Sequence, residues 1–89
     1  MRVARSKHVT VVYNPVKVDL GRLRRAVERS VWPGAKVTWS ATSTEDPGCA
    51  QASRALEDGA DLLVAAGGDG TVRMVALAVS GSQVPMAIV

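Results

Sequence analysis

Leu62-Leu63-Val64-Ala65-Ala66-Gly67-Gly68-Asp69-Gly70-Thr71-Val72 is the stretch whose reading decides the fold. Five apolar residues run without alternation into Gly-Gly-Asp-Gly-Thr, which predicts a strand buried on both faces, as in a parallel sheet. Past the glycines, Val72, Val75, Ala76 and Val79 recur at helical spacing and are expected to form the packed face of a helix. Strand, glycine loop and helix together aim backbone N–H groups at an anion. Glycines adopt positive φ readily, and without Cβ atoms they let a phosphate reach the backbone. Asp69 is the odd member. A carboxylate repels phosphate, so Asp69 is expected to face a metal ion or to accept a hydrogen bond from a hydroxyl.

A hairpin turn at Asp69-Gly70 would need alternating strands on both sides, and neither flank alternates. Two other phosphate loops fail on spacing. There is no Gly-x-x-x-x-Gly-Lys, and Arg73 stands where a dinucleotide fingerprint needs its last glycine.

Upstream, His8 to Tyr13 is β-branched and nearly all apolar, so it reads as a central parallel strand. Asn14-Pro15 ends it, because proline donates no ladder bond and confines the preceding residue to extended or turn conformations. Asn14 then falls at the carboxyl edge of the sheet, where open α/β sheets bind ligands; an ordinary strand-to-helix turn would use the same residues. His8, the single histidine, has no second ligand type beside it and reads as a strand-start residue.

Asp19 is predicted to cap a helix reaching about Ser30, with Leu20, Leu23, Val27 and Val31 as its stripe. Arg22, Arg24, Arg25 and Arg29 take its other sides. Trp32-Pro33-Gly34 is a turn, and Val37, Trp39 and Ala41 alternate with Thr38 and Ser40 in a half-exposed strand nearer the sheet edge. Asp46-Pro47 is expected to start the next helix, with an Asx cap and proline at its first position. Cys49, Ala52, Ala55 and Leu56 give that helix a small packing face, and Gly59 ends it. Ser80-Gly81-Ser82 closes the third helix, and Met86 to Val89 reads as a fourth apolar strand.

The order β-α-β-α-β-α-β predicts a three-layer α/β/α, Rossmann-like lobe with a parallel sheet of about four strands and right-handed crossovers. Its loops gather Asn14, Thr42 to Asp46 and Gly67 to Thr71 toward one crevice. A buried strand at the end of the chain is unusual, so the sequence is read as the front of a longer protein, cut after the fourth strand.

Composition narrows the class without choosing a function. With 47% hydrophobic and 21% charged residues the chain is ordinary for a globular domain, and with only 3% aromatics its core rests on Val, Leu and Ala. No apolar run approaches the roughly 18 residues that span a bilayer, and Met1 to Arg5 has no apolar continuation suited to a signal peptide. The lone Cys49 excludes an internal disulfide and a multi-cysteine zinc site, and a reducing cytoplasm is the simplest home. A net charge of +3, with Arg and Lys crowded into the first 25 residues, suits a membrane surface, a phosphorylated ligand or nucleic acid. A solvated basic face would account for it equally. Residues 1–7 read as a basic, fraying tail.

Gly67-Gly68-Asp69-Gly70-Thr71 resembles the nucleotide-binding signature of the diacylglycerol kinase catalytic domain, whose superfamily includes sphingosine and NAD kinases. Val11-Val12-Tyr13-Asn14-Pro15 is similar to that family's first strand. Thr44-Glu45-Asp46-Pro47-Gly48, then Gln51-Ala52 and Gly59-Ala60-Asp61, are similar to the segment leading bacterial members into the glycine loop. The resemblance covers nearly all of residues 8–89 in the right order. It implies the N-terminal lobe of a lipid kinase that transfers the ATP γ-phosphoryl group to a lipid hydroxyl, most simply diacylglycerol giving phosphatidic acid, in phospholipid metabolism.

By position, Gly67, Gly68, Gly70 and Thr71 would contact phosphate, Asp69 would belong to the same site, and Asn14 would line it. ATP and Mg²⁺ are the implied cofactors. The implied partners are ATP and a lipid at the inner membrane surface, met by a cytoplasmic, peripheral protein; a homo-oligomer stays open. No protein metal site is assigned. A sphingoid-base or NAD kinase of the same superfamily, or a non-catalytic nucleotide-binding module, are the alternatives. Nucleic-acid binding is set aside because the interleaved aromatics of single-strand binders are lacking. Arg73-Met74 stands where many family members carry Asn-Glu, and Val16-Lys17 where small residues are frequent. The family's second glycine loop, second domain and general base would lie beyond Val89. No catalytic residue is therefore assigned, and the chain alone is expected to be inactive.

Overall fold

Each long apolar run becomes a strand and each amphipathic run a helix. The computed structural model describes residues 7–89, which form β1 (His8–Tyr13), α1 (Leu20–Ser30), β2 (Lys36–Ala41), α2 (Cys49–Glu57), β3 (Leu62–Ala66), α3 (Asp69–Val79) and β4 (Met86–Ile88). The strands make one sheet in the order β2-β1-β3-β4, and every pairing is parallel. Val11 registers with Trp39 on one side and Val64 on the other, so β1 is central. All five residues of β3 are buried, which is why its sequence lacks alternation. Residues 1–6, most of the expected basic tail, lie outside the described residues. Lys7 is tied in: its N–H donates to Asp61 Oδ2 at 2.9 Å, and its carbonyl accepts from the Lys36 N–H at 2.8 Å.

Two cores flank the sheet. Val9, Val11, Leu62, Val64 and Ala66 turn toward Leu23 and Val27 of α1, with Val37 and Trp39 of β2 packed alongside. On the opposite face, Val12, Leu63 and Ala65 meet Ala52 and Ala55 of α2 and Val75 of α3. The result is the expected α/β/α sandwich. Alanines at this second face let two helices approach where bulkier residues cover the first with one. Burying each large aliphatic side chain contributes about 2 kcal/mol, so Leu62, Leu63 and the β1 valines dominate the stability.

Local chemistry sets most boundaries as expected. Asp19 caps α1 by accepting from the Arg22 N–H at 3.1 Å. Gly59, with φ 87°, closes α2 through Gly59 N–H to Leu56 O and Ala60 N–H to Ala55 O, a Schellman ending.

Three expectations fail in detail. Asp46 does not cap α2, and Pro47 is not its first residue. The Ser43 N–H donates to Asp46 O at 3.0 Å, the Asp46 N–H donates to Ser43 Oγ at 3.1 Å, and Gln51 Nε2 clips Asp46 O at 2.7 Å. That closed turn, followed by Gly48 at φ 142°, postpones the helix to Cys49. Ala76 is exposed. The packed face of α3 centres on Thr71 and Val75, with Val72, Ala78 and Val79 partly buried, and Ala76 falls about 100° round from Val75. Ala41 also is exposed, at the outer end of β2, while Val37 and Trp39 pack inward as predicted.

Candidate functional site

From β1 the chain first crosses to β2 on one side, then returns past β1 to β3 on the other. The carboxyl ends of β1 and β3 are therefore a topological switch point, where the outgoing loops diverge and leave a crevice. Asn14 leaves β1 there and Gly67 leaves β3. The Asn14 N–H donates to Ala66 O at 2.9 Å, which holds the two loops together.

The glycine loop is built against Asn14. Gly67 has φ 146°, and a Cβ on it would lie 2.6 Å from Asn14 Cβ and 3.1 Å from Thr71 Oγ1. Only glycine lets the three residues meet. Asn14 Oδ1 accepts from the Val16 N–H at 2.9 Å, and the Asn14 carbonyl accepts from the N–H groups of Lys17 and Val18, each at 3.1 Å. The carboxamide oxygen is thus committed to the turn. Its Nδ2 has no acceptor among the described residues, which leaves that donor for a ligand.

Beyond Gly67, Gly68 takes φ 110° and ψ −175° at the N-cap of α3 and makes no side-chain cap. The first helical bond runs from the Val72 N–H to Gly68 O, so the N–H groups of Asp69, Gly70 and Thr71 have no acceptor among the described residues. These free donors at the positive end of the helix dipole suit an anion.

A cleft of about 550 Å³ opens beside them. Its walls come from Asn14 to Lys17 after β1, Thr42 to Glu45 and Pro47 after β2, and Gly70 and Thr71 at the start of α3. This size falls within the range of small-molecule sites, roughly 300–1,000 Å³. Three of the sequence-predicted residues, Asn14, Gly70 and Thr71, line the cleft. Gly67 sits half-buried behind the wall, while Gly68 and Asp69 are exposed outside it. The Asp69 carboxylate has no hydrogen-bond partner among the described residues.

Val16 and Lys17 were not among the expected site residues, yet both line the cleft, and among the described residues Lys17 is its one lining cation. A lysine three residues past Asn14, in a loop at the carboxyl edge of the sheet, was the available signal. Met74, at a position where the resemblance led one to expect glutamate, is half-buried, with its Cβ 3.0 Å from where a Gly48 Cβ would be. It fastens the β2–α2 loop to α3. Among the described residues no group of three or more His, Cys, Asp or Glu could hold a metal.

This arrangement can hold a phosphorylated ligand: open glycine backbone, uncapped helix N–H groups, a buried threonine, a free carboxamide donor and a lysine. A family model described as the diacylglycerol kinase catalytic domain matches residues 8–89. The chain belongs to that family. Comparison with curated proteins gives no match. The matched residues contain both sides of the cleft, so the site lies within the diacylglycerol kinase catalytic domain. Membership makes this a lipid-kinase-like catalytic domain, of a family whose chemistry is phosphoryl transfer.

Proposed function

We propose that the chain is the nucleotide-binding lobe of an ATP-dependent lipid kinase that phosphorylates a lipid hydroxyl, most simply that of diacylglycerol. The observation that carries this reading is the uncapped start of α3, which opens through Gly70 and Thr71 onto a cleft at the β1/β3 switch point. The N–H groups of Gly70 and Thr71 and the Thr71 hydroxyl donate to phosphate oxygens. Asn14 Nδ2 donates to the nucleotide from the facing loop, and Lys17 sets a positive charge beside the phosphates. Gly67 and Gly68 keep the loop backbone open. Phosphoryl transfer is mainly positioning and charge neutralisation. The donor set fits a nucleotide triphosphate, and among the described residues Glu45 is the single carboxylate lining the cleft, too few ligands to hold a bare cation. Mg²⁺, carried by the phosphates, supplies neutralisation when bound. Asp69, at the rim, is free to hold the metal's water shell or the acceptor hydroxyl.

The lipid acceptor places the working protein at a bilayer surface. No helix among the described residues is long and apolar enough to cross a membrane. Met74 favours a second reading, a nucleotide-binding module without catalysis, because its side chain packs where many family members carry glutamate. Titration calorimetry with Mg²⁺ and ATP tests the first step, and the expected result is one saturable site that Gly68→Asp removes. No binding at millimolar nucleotide would end both readings. Transfer of labelled phosphate to diacylglycerol in mixed micelles, measured on the full-length protein, separates kinase from module.

A further inference from the structure

The outer face of α1 carries a pattern that the nucleotide site does not use. Leu23 and Val27 fix the inward side of this helix. At 3.6 residues per turn, Arg22, Arg25 and Arg29 then form one row on the opposite side, and all three are exposed. Among the described residues none of their guanidinium groups is paired with a carboxylate, although the Arg22 N–H donates to Asp19 Oδ1 at 3.1 Å. Within the row, Arg29 Nε donates to the Arg25 carbonyl at 3.3 Å. Arg24 lies off the row, over the Trp39 ring at 5.3 Å from its centroid. Glu28, the one acidic residue within the helix, sits on that flank and not in the row.

We infer that this arginine row docks the protein on an anionic lipid bilayer. The inference deepens the lipid-kinase reading and rests on it for choosing a bilayer over another polyanion. Geometry agrees with that choice. The row is straight, about 10 Å long, and stands on a convex helix, so it meets a plane of headgroups and cannot clasp a strand as a basic groove does. Guanidinium groups take lipid phosphates in bidentate fashion and are weakly hydrated. Tyr13 and Trp39 are engaged with each other at 6.2 Å between centroids, so neither offers an open ring to a base.

Co-sedimentation with phosphatidylcholine vesicles, with or without an equal share of phosphatidylglycerol, tests the inference. Binding is expected only to the mixed vesicles and should fall steeply with salt. Each basic residue near an anionic surface contributes about a fivefold change in affinity, so Arg22→Gln/Arg25→Gln/Arg29→Gln should weaken binding roughly a hundredfold. Lys7→Gln/Lys36→Gln/Arg54→Gln removes the same charge elsewhere and should weaken it far less. An equal loss in both triple variants, or equal binding to neutral vesicles, would overturn the row as the docking element. So would tighter binding of an oligonucleotide than of mixed vesicles. Glu28→Gln, which disturbs no packing, should tighten vesicle binding severalfold and covers the case of a triple variant that does not fold. Calorimetry with Mg²⁺ and ATP on the same samples separates the two readings. Intact nucleotide binding without vesicle binding sinks the docking alone, and vesicle binding without nucleotide binding sinks the kinase reading and leaves the row standing.

Discussion

Gly67 and Gly70 bracket one loop, yet they are glycine for opposite reasons. At Gly67 the protein itself fills the space a side chain would need: Asn14 and Thr71 close on it, and φ is 146°. At Gly70 a Cβ would meet nothing within 4 Å, and the backbone is already helical. The first half of the loop is locked by the fold, and the second is left open toward the cleft. If the open half holds phosphate as proposed, it should tolerate side chains structurally while losing ligand, and the locked half should lose both together.

The sharpest break is Gly67→Ala. Backbone strain of about 1–3 kcal/mol adds to overpacking against Asn14, and together they should cost about 3 kcal/mol, or roughly 15 °C in Tm for a domain of this size. Urea denaturation reads it. A loss under about 0.5 kcal/mol would mean the loop relaxes freely and the locked half does not exist.

Gly68→Asp comes next. Its φ of 110° with ψ −175° lies where essentially only glycine is found, yet a Cβ there meets nothing within 4 Å. Strain without a clash should cost about 2 kcal/mol. A second carboxylate beside Asp69 should also abolish Mg²⁺-ATP binding in protein that remains folded at low temperature. Retained affinity would make the glycine loop a structural turn.

What the sequence could reveal follows the same division between locked and open parts. The buried strands were legible because a strand covered on both faces has no polar alternation to hide it, as β3 shows. The α1 cap was legible because Asp19 acts on its own neighbour, Arg22. Strand order was not legible, since it is decided by which faces pack and leaves no local trace. The β2–α2 loop misled for a related reason. Asp46-Pro47 is a sound local start signal, but Gln51, in the first turn of α2, grips Asp46 O and Ala41 O and imposes a different turn. Ala76 and Ala78 look alike in sequence, and only the tilt of α3 on the sheet decides which is buried. At the site, the residue types named by the glycine signature were visible, whereas Lys17 and Val16 enter the cleft only because the Asn14 turn folds back.

Asn14→Asp sharpens the comparison from the facing loop. Aspartate keeps an oxygen to accept from the Val16 N–H, so stability should change by less than about 1 kcal/mol. It replaces the free Nδ2 donor with a charged acceptor beside the proposed phosphate position. Mg²⁺-ATP affinity should fall at least about tenfold, which is about 1.4 kcal/mol. Asn14→Ala, by contrast, should lose stability through the orphaned Val16 N–H. Unchanged affinity in a folded Asn14→Asp protein would leave Asn14 as a turn residue alone.

The smallest effect on the fold, and the most informative dissociation, is expected from Gly70→Ala. Position 70 lies in the first turn of α3, where the residue is helical, exposed and free of neighbours. Alanine there removes backbone freedom from the unfolded chain and should raise stability by about 0.5 kcal/mol, less than the mid-helix value because the first turn frays. The added methyl would stand at the wall of the cleft, on the residue whose own N–H is one of the free donors. Ligand affinity should drop by about tenfold while Tm rises by a few degrees. Opposite signs from one methyl group cannot come from a general loosening of the loop. If stability and affinity fell together, Gly70 would belong to the locked half, and the phosphate would have to be sought elsewhere along the cleft.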